Sequence, residues 1–278
     1  MSTNSNSHAP EPAGTTSAPD SQGTVHLERQ GAVALLTLSN PKALNAMTWH
    51  MYEALTAHLD ALAADGAVRV VVLRGDGERA FAAGTDIKQF VGFTGKDGVQ
   101  YEQRIDHVTR KLLEFPKPTI AAVHGYAIGG GLILAAACDL RYATPQARFG
   151  APIARTLGNC LSIRNYSRVA SLIGEARLKE LIFTARQLRA EEALAAGFVS
   201  AVYDADGFFE KVLEIAEEIA SRAPLTLWAT KVALSRLREV QQPLPEFSDV
   251  IERVYGSADF QEGVQAHLEK RPAEWRGC

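Results

Sequence analysis

The stretch TIAAVHGYAIGGGLILAAACDLRYA, residues 119–143, limits the possible folds more than any other part of the chain. A β-branched run ends in a glycine, Gly129, Gly130 and Gly131 follow shortly after, and a helix of small apolar residues begins. Glycines let the backbone come close to a ligand, and the first N–H groups of the next helix have no intrahelical acceptor. The helix dipole adds partial positive charge at that end, which suits a carboxylate, a phosphate or a developing enolate oxygen. Taken alone, the glycines are equally compatible with tight packing of a helix on a strand. A phosphate-binding P-loop needs Gly-Lys followed by Ser or Thr, and here Leu-Ile-Leu follows; the glycine spacing of a dinucleotide-binding turn is also wrong.

The rest of the chain predicts an α/β protein. With 278 residues and 46% hydrophobic content it can bury one sizeable core. A formal charge of −3 gives no footprint for nucleic acid or an anionic membrane surface, and no apolar run is long enough to span a bilayer. Cys138, Cys160 and Cys278 lack disulfide or metal spacing, which favours a reducing compartment, the cytoplasm. His50 and His58 have no third partner to complete a metal site. Residues 1–22 are rich in Ser, Thr, Asn, Pro and Ala and predict a disordered tail; without Arg or Lys they do not resemble a transit peptide.

VHLERQGAVALLTLS reads as two strands joined at Gly31, and the periodic segment after Asn45 as a helix capped by Asn45 and Gly66. VRVVVLRG reads as a strand buried on both faces. Helical periodicity returns from about Gly98 to Phe115, where PKP stops it, and another helix opens near Gly158. A short helix ending at Gly197 and a last strand, FVSAV, come next, then helices over about 208–222, 224–240, 246–256 and 259–270. No internal repeat is visible.

In AFAAGTDIK, Gly84 ends a strand and Thr85 follows, so the Thr85 and Gly130 N–H groups would form an oxyanion hole if the two turns face each other. Each such backbone donor is worth about 3 to 4 kcal/mol at a transition state.

Together with NPKALNAM, RVVVLRG, CDLRYA, ARFG, FTARQLRAEEALAAGFV and EGVQAHLEKR in this order, these segments resemble the crotonase family of enoyl-CoA hydratases and isomerases over about residues 24–271. The resemblance implies a spiral of repeated ββα units over residues 23–200 and a helical trimerisation part over 201–278, in a homotrimer or homohexamer. It implies an acyl-CoA thioester substrate, with coenzyme A as part of that substrate and no separate cofactor. The Thr85 and Gly130 amides would hold the thioester oxygen. The coenzyme A chain would pass Lys42, Ala43, Leu44, Ala83, Asp86 and Ile87, with Lys270 near a phosphate or the adenine end.

Hydratases of this family carry a glutamate three residues after the oxyanion glycine and another four residues after the phenylalanine of an FG pair. Here these positions hold Ile133 and Ile153, which cannot exchange a proton. The expected function is an acyl-CoA enzyme of the hydratase/isomerase type with non-standard acid/base residues. The alternatives are a silent acyl-CoA-binding protein, or decarboxylation or thioester hydrolysis on the same fold. Glu102, Asp106 and His107 are candidate replacements, as are Arg155, Thr156, Asn159 and Cys160; Asn159 also reads as a helix cap. His124 reads as a core residue or one supporting the site from behind, Tyr126 as a buried aromatic in preference to a residue lining the site, and Asp139–Arg141 as a structural ion pair.

Overall fold

The computed structural model describes residues 23–241 and 244–277. The predicted disordered tail, residues 1–22, lies outside the described residues.

β1 (Thr24–Gln30) and β2 (Val33–Ser39) form the predicted hairpin, turning at Gly31 with φ +57°. β2 then pairs in parallel with β3 (Val70–Gly75), β3 with β5 (Thr119–Val123), β5 with β7 (Leu140–Ala143) and β7 with β10 (Ala201–Val202). Among the described residues these make a six-stranded sheet, and β4 (Ala80–Ala83), β6 (Tyr126–Ile128), β8 (Arg148–Gly150) and β9 (Leu188–Arg189) make a four-stranded one. In each of the pairs β3–β4, β5–β6 and β7–β8 the first strand joins the large sheet and the second the small one. A helix follows each pair: α2 (Gly95–Leu113), α3 (Gly130–Ala137), then the short α4 (Ile153–Thr156) with α5 (Ile163–Ile173). This is the α/β arrangement of repeated ββα units that the resemblance implied.

The large sheet is apolar on both faces because both are covered. Val33, Leu35, Val70, Val72, Ile120 and Ala122 pack with Phe208, Val212 and Ala216 of α8 (Phe208–Ala220). The alternate residues Leu36, Val71, Leu73, Ala121 and Val123 face the main core with α1 (Trp49–Ala64). α6 (Glu175–Thr184) and α7 (Ala190–Ala195) follow α5, and α9 (Pro224–Gln241), α10 (Ser248–Tyr255) and α11 (Ala258–Glu269) close the chain.

Several boundaries differ from expectation for identifiable reasons. α1 starts four residues after Asn45, capped by the Thr48 hydroxyl, and ends at Asp65 rather than at Gly66. Asn45 has φ +57° and is fully enclosed; its Oδ1 accepts from the Asn40 N–H (3.0 Å), and its Nδ2 donates to the carbonyls of Asp76 (2.9 Å) and Ala80 (2.8 Å). The side chain therefore ties the 40–47 loop to the turn before β4. Asn45→Ala removes the partner of one buried and two partly buried backbone groups, so a loss of about 2 kcal/mol is expected, read as a lower urea midpoint with an unchanged slope. An unchanged midpoint would remove Asn45 from that role.

Candidate active site

The site begins with strand register. β4 and β6 are parallel neighbours with Ala83 opposite Ile128, so Gly84-Thr85 and Gly129-Gly130 leave the same edge of the small sheet side by side. Strands this short give little periodicity, and nothing in the sequence marks YAI as one. Gly84 (φ +97°) and Gly129 (φ +53°) turn the chain where a side chain would be strained. A Cβ on Gly129 would lie 3.6 Å from Gly84 Cα, and one on Gly130 would lie 3.3 Å from Thr85 Oγ1, so the two turns touch.

The backbone hydrogen bonds around these turns omit two donors. Met47 N–H donates to Gly84 O (2.8 Å), Asp86 N–H to Met47 O (2.9 Å) and Gly129 N–H to Gly150 O (2.8 Å). Gly130 opens α3 and has no carbonyl one turn before it. Among the described residues, neither the Thr85 nor the Gly130 N–H donates to a protein acceptor, and both residues line one cavity of about 220 Å³. Gly131 serves the packing role instead, because a Cβ there would sit 2.0 Å from Ala82 O.

Ala83, Ile87, Ile133, Ile153 and Asn159 also line this cavity. Lys42, Ala43, Leu44, Asp86 and Lys270 do not. Lys42 and Ala43 lie on an exposed 3-10 turn, and Leu44 O accepts from Ala83 N–H (3.0 Å), which holds that turn against the end of β4. Asp86 caps the 3-10 turn Ile87–Phe90 through Lys88 N–H (3.2 Å). Lys270 is exposed at the C-terminal end of α11 with φ +56°.

Of the candidates on α2, Glu102 enters the cavity, whereas Asp106 lines a neighbouring cleft and His107 a groove on the side of Trp49 and Tyr52. Glu102 is 3% exposed. Its Oε1 accepts from the Tyr255 hydroxyl and its Oε2 from Ser162 N–H, each at 2.8 Å. Burial pushes its carboxyl up to about 8 against the pull of these hydrogen bonds, and the nearby Asp106 adds to the rise. Tyr255 reaches it because α10 lies directly on α2: a Cβ on Gly98 would be 2.1 Å from Tyr255 Cγ. The Thr85 hydroxyl is hydrogen-bonded to Tyr52 (3.0 Å) and Tyr101 (2.8 Å), and burial raises both phenols.

The 151–162 segment departs from expectation. Asn159 is not a helix cap; Ser162 caps α5 by accepting from Asn165 N–H (3.2 Å). Asn159 Nδ2 instead donates to the Tyr255 hydroxyl (3.2 Å), and its Oδ1 is enclosed without a protein partner. Arg155 is exposed and does not line the cavity, while Thr156 does. Burial pushes the Cys160 thiol up to about 12, leaving no thiolate for nucleophilic work.

His124 is a core residue as expected, 5.3 Å from the Phe209 ring and pushed down to about 4 by burial. Tyr126 is not the buried aromatic that the sequence predicts, nor does it line the cavity: it is exposed on the short strand β6. Asp139 does not pair with Arg141; it meets Lys231 Nζ at 2.6 Å, while Arg141 donates to the carbonyls of Ala135, Cys138, Asp139 and Phe198. The partners of Glu102 and Asp139 come from segments 153 and 92 residues away, so no local pattern announces them.

The profile of the enoyl-CoA hydratase/isomerase family matches residues 28–278. A short-chain-enoyl-CoA hydratase of Clostridium acetobutylicum is 34% identical over 252 residues, covering 90% of this chain and 96% of its own. A probable enoyl-CoA hydratase of Rhizobium meliloti is 37% identical, covering 91% and 98%. A solved methylmalonyl-CoA decarboxylase in complex with 2-nitronate-propionyl-CoA superposes with a TM-score of 0.83 at 30% identity, covering 92% of this chain and 99% of that one.

Proposed function

The chain belongs to the enoyl-CoA hydratase/isomerase family, the crotonases, and from that premise we propose that it is an acyl-CoA enzyme that stabilises a thioester enolate between the Thr85 and Gly130 amides. The observation that carries this reading is the pair of undonated N–H groups on two touching turns beside one cavity. As electron density moves onto the thioester oxygen, both donors and the N-terminal end of α3 oppose the new charge without reorganising. The apolar Ile133 and Ile153 keep the acyl group dry and strengthen that interaction.

Coenzyme A enters as part of the substrate. Its chain runs past Lys42, Ala43, Leu44, Ala83, Asp86 and Ile87, with Lys270 toward a phosphate or the adenine end; the 40–47 turn bonded to the end of β4 supports this path. The core extends to about residue 200 and the helical part follows. The exposed Leu225, Trp228, Leu234 and Leu237 of α9 support a homotrimer or homohexamer, and the buried free thiols of Cys138 and Cys160 suit the cytoplasm.

The test is direct binding of a panel of saturated and unsaturated acyl-CoA thioesters beside hydration, isomerisation and α-proton exchange. Binding with turnover or exchange on at least one thioester is expected; binding without either would make this a silent acyl-CoA-binding protein, and absence of binding would end the reading. The double substitution Ile133→Glu plus Ile153→Glu restores the two carboxylates that hydratases of this family use. It should raise crotonyl-CoA hydration by about tenfold or more over the parent chain. A folded double variant without that gain would displace Ile133 and Ile153 from the acyl pocket.

A further inference from the structure

We propose that Glu102, from a helix outside the two positions that hold Ile133 and Ile153, is the catalytic residue that moves the proton on the carbon beside the thioester. The proposal rests on the acyl-CoA reading above and goes beyond it by naming the proton carrier and the class of reaction.

The first argument is chemical inventory. Among the described residues, Glu102 is the only carboxyl lining the cavity that both oxyanion turns also line. The other titratable groups there are Tyr101, whose hydroxyl is engaged by Thr85, and His267, exposed on α11. Cys160, the remaining nucleophile nearby, is held as the thiol.

The second argument is that a purely structural role accounts poorly for a carboxyl at this position. Buried glutamates are normally paired with a cation, and Glu102 takes part in none of the ion pairs among the described residues. The groups that act on it are Tyr101 and Asp106 from α2, Tyr52 from α1, Cys160 from the segment before α5, Tyr166 from α5 and Tyr255 from α10. None is a cation. A glutamine could accept from Ser162 N–H and donate to the Tyr255 hydroxyl with the same shape, so the two hydrogen bonds alone do not require an acid. A carboxyl that is desolvated, unpaired and beside a substrate cavity is poised for proton transfer near neutral pH.

The step balances as a single proton transfer. The Glu102 carboxylate takes the α proton, the C–H electron pair enters the enolate, and the charge settles on the thioester oxygen between the Thr85 and Gly130 amides. In reverse, the carboxyl delivers a proton to the same carbon, giving exchange once its own proton has been replaced from solvent, or to the γ carbon of an unsaturated chain, giving isomerisation. One carboxyl suffices for that shift. Addition of water asks for a base on the water as well as an acid on the carbon, and among the described residues the cavity lining has no second carboxyl.

The experiment measures exchange of the α protons of butyryl-CoA for deuterium by NMR, with binding measured in parallel, for the parent chain, Glu102→Gln and Glu102→Asp. In the parent chain the exchange rate should rise with pH through a midpoint near 8 as the carboxyl ionises. Glu102→Gln should bind butyryl-CoA as the parent does, exchange about a hundredfold more slowly and lose that midpoint. Glu102→Asp should keep a pH midpoint at a reduced rate.

A stability readout checks the raised titration independently of the rate. A carboxyl whose folded value is raised above its unfolded one stabilises the fold at pH below the unfolded value and loses that contribution as pH climbs through about 8. The Gln variant should therefore lose less stability than the parent as the pH is raised through 8. Exchange that survives Glu102→Gln, or a parent profile without the midpoint, overturns the assignment of Glu102 alone. Binding without exchange in the parent also overturns it, whereas absence of binding to any thioester overturns the acyl-CoA reading beneath it.

Discussion

Thr85→Pro should lower the turnover or α-proton exchange of an acyl-CoA thioester by about a hundred- to a thousandfold, and Thr85→Ala by far less. Proline removes the N–H, and here that N–H is engaged by no protein acceptor among the described residues, so no internal hydrogen bond is lost with it. The carbonyl of Gly84 and the amide of Asp86, which bond to Met47 on either side, stay in place. Gly84 has no Cβ to clash with a following proline ring, and Thr85 is not among the residues with positive φ. Both substitutions also remove the hydroxyl that joins Tyr52 and Tyr101, leaving two buried phenols short of a partner at a cost of about 1 to 3 kcal/mol in stability. Because that cost is common to the pair, the ratio of their rates isolates the amide. Equal losses of rate would mean that the hydroxyl, not the N–H, is what the reaction needs.

The same residues show why some of the site was legible in the sequence and some was not. Glycine reports backbone conformation directly, so the turns at Gly84 and Gly129 are recognisable from residue type alone. Their convergence follows from the Ala83–Ile128 register, and that register belongs to a strand of three residues with too little length for a period of two to emerge. The ββα repeat is likewise a repeat of topology: the pairs β3–β4, β5–β6 and β7–β8 each send one strand to each sheet without repeating their side chains. Asn45 carries a local signal for a helix cap, but its side chain is claimed by carbonyls 31 and 35 residues away, and Thr48 takes the cap. In the sequence Glu102 looks like its neighbours Asp106 and His107. What separates it is the packing of α10 on α2 and the approach of the Ser162 amide, contacts made across 153 and 60 residues of chain.

Gly130→Ala should fold and yet lose about a hundredfold in rate, and Tyr52→Phe in the same chain should return at least tenfold of it. Gly130 has no positive φ, so alanine fits the backbone; the obstacle is its Cβ, 2.8 Å from the Tyr52 hydroxyl and 3.3 Å from Thr85 Oγ1. Tyr52 is 3% exposed and its hydroxyl is held by Thr85, so the clash passes to the turn, and the Gly130 amide is the group that moves. Displacement of a positioned group by about 1 Å is enough for a loss of that size. Phenylalanine deletes the nearer of the two oxygens in the way while keeping the ring in the core, at the cost of a single hydrogen bond to Thr85. At Gly131 no such relief is available, because its Cβ would meet the Ala82 carbonyl at 2.0 Å, a backbone atom that no substitution can shorten; Gly131→Ala should fail to give soluble protein with or without Tyr52→Phe. If the Gly130→Ala rate is unaffected by Tyr52→Phe, the steric account fails. If Gly130→Ala is as active as the parent, the amide at 130 does not need to be held where it is, and the pairing of the two turns as an oxyanion site falls with it.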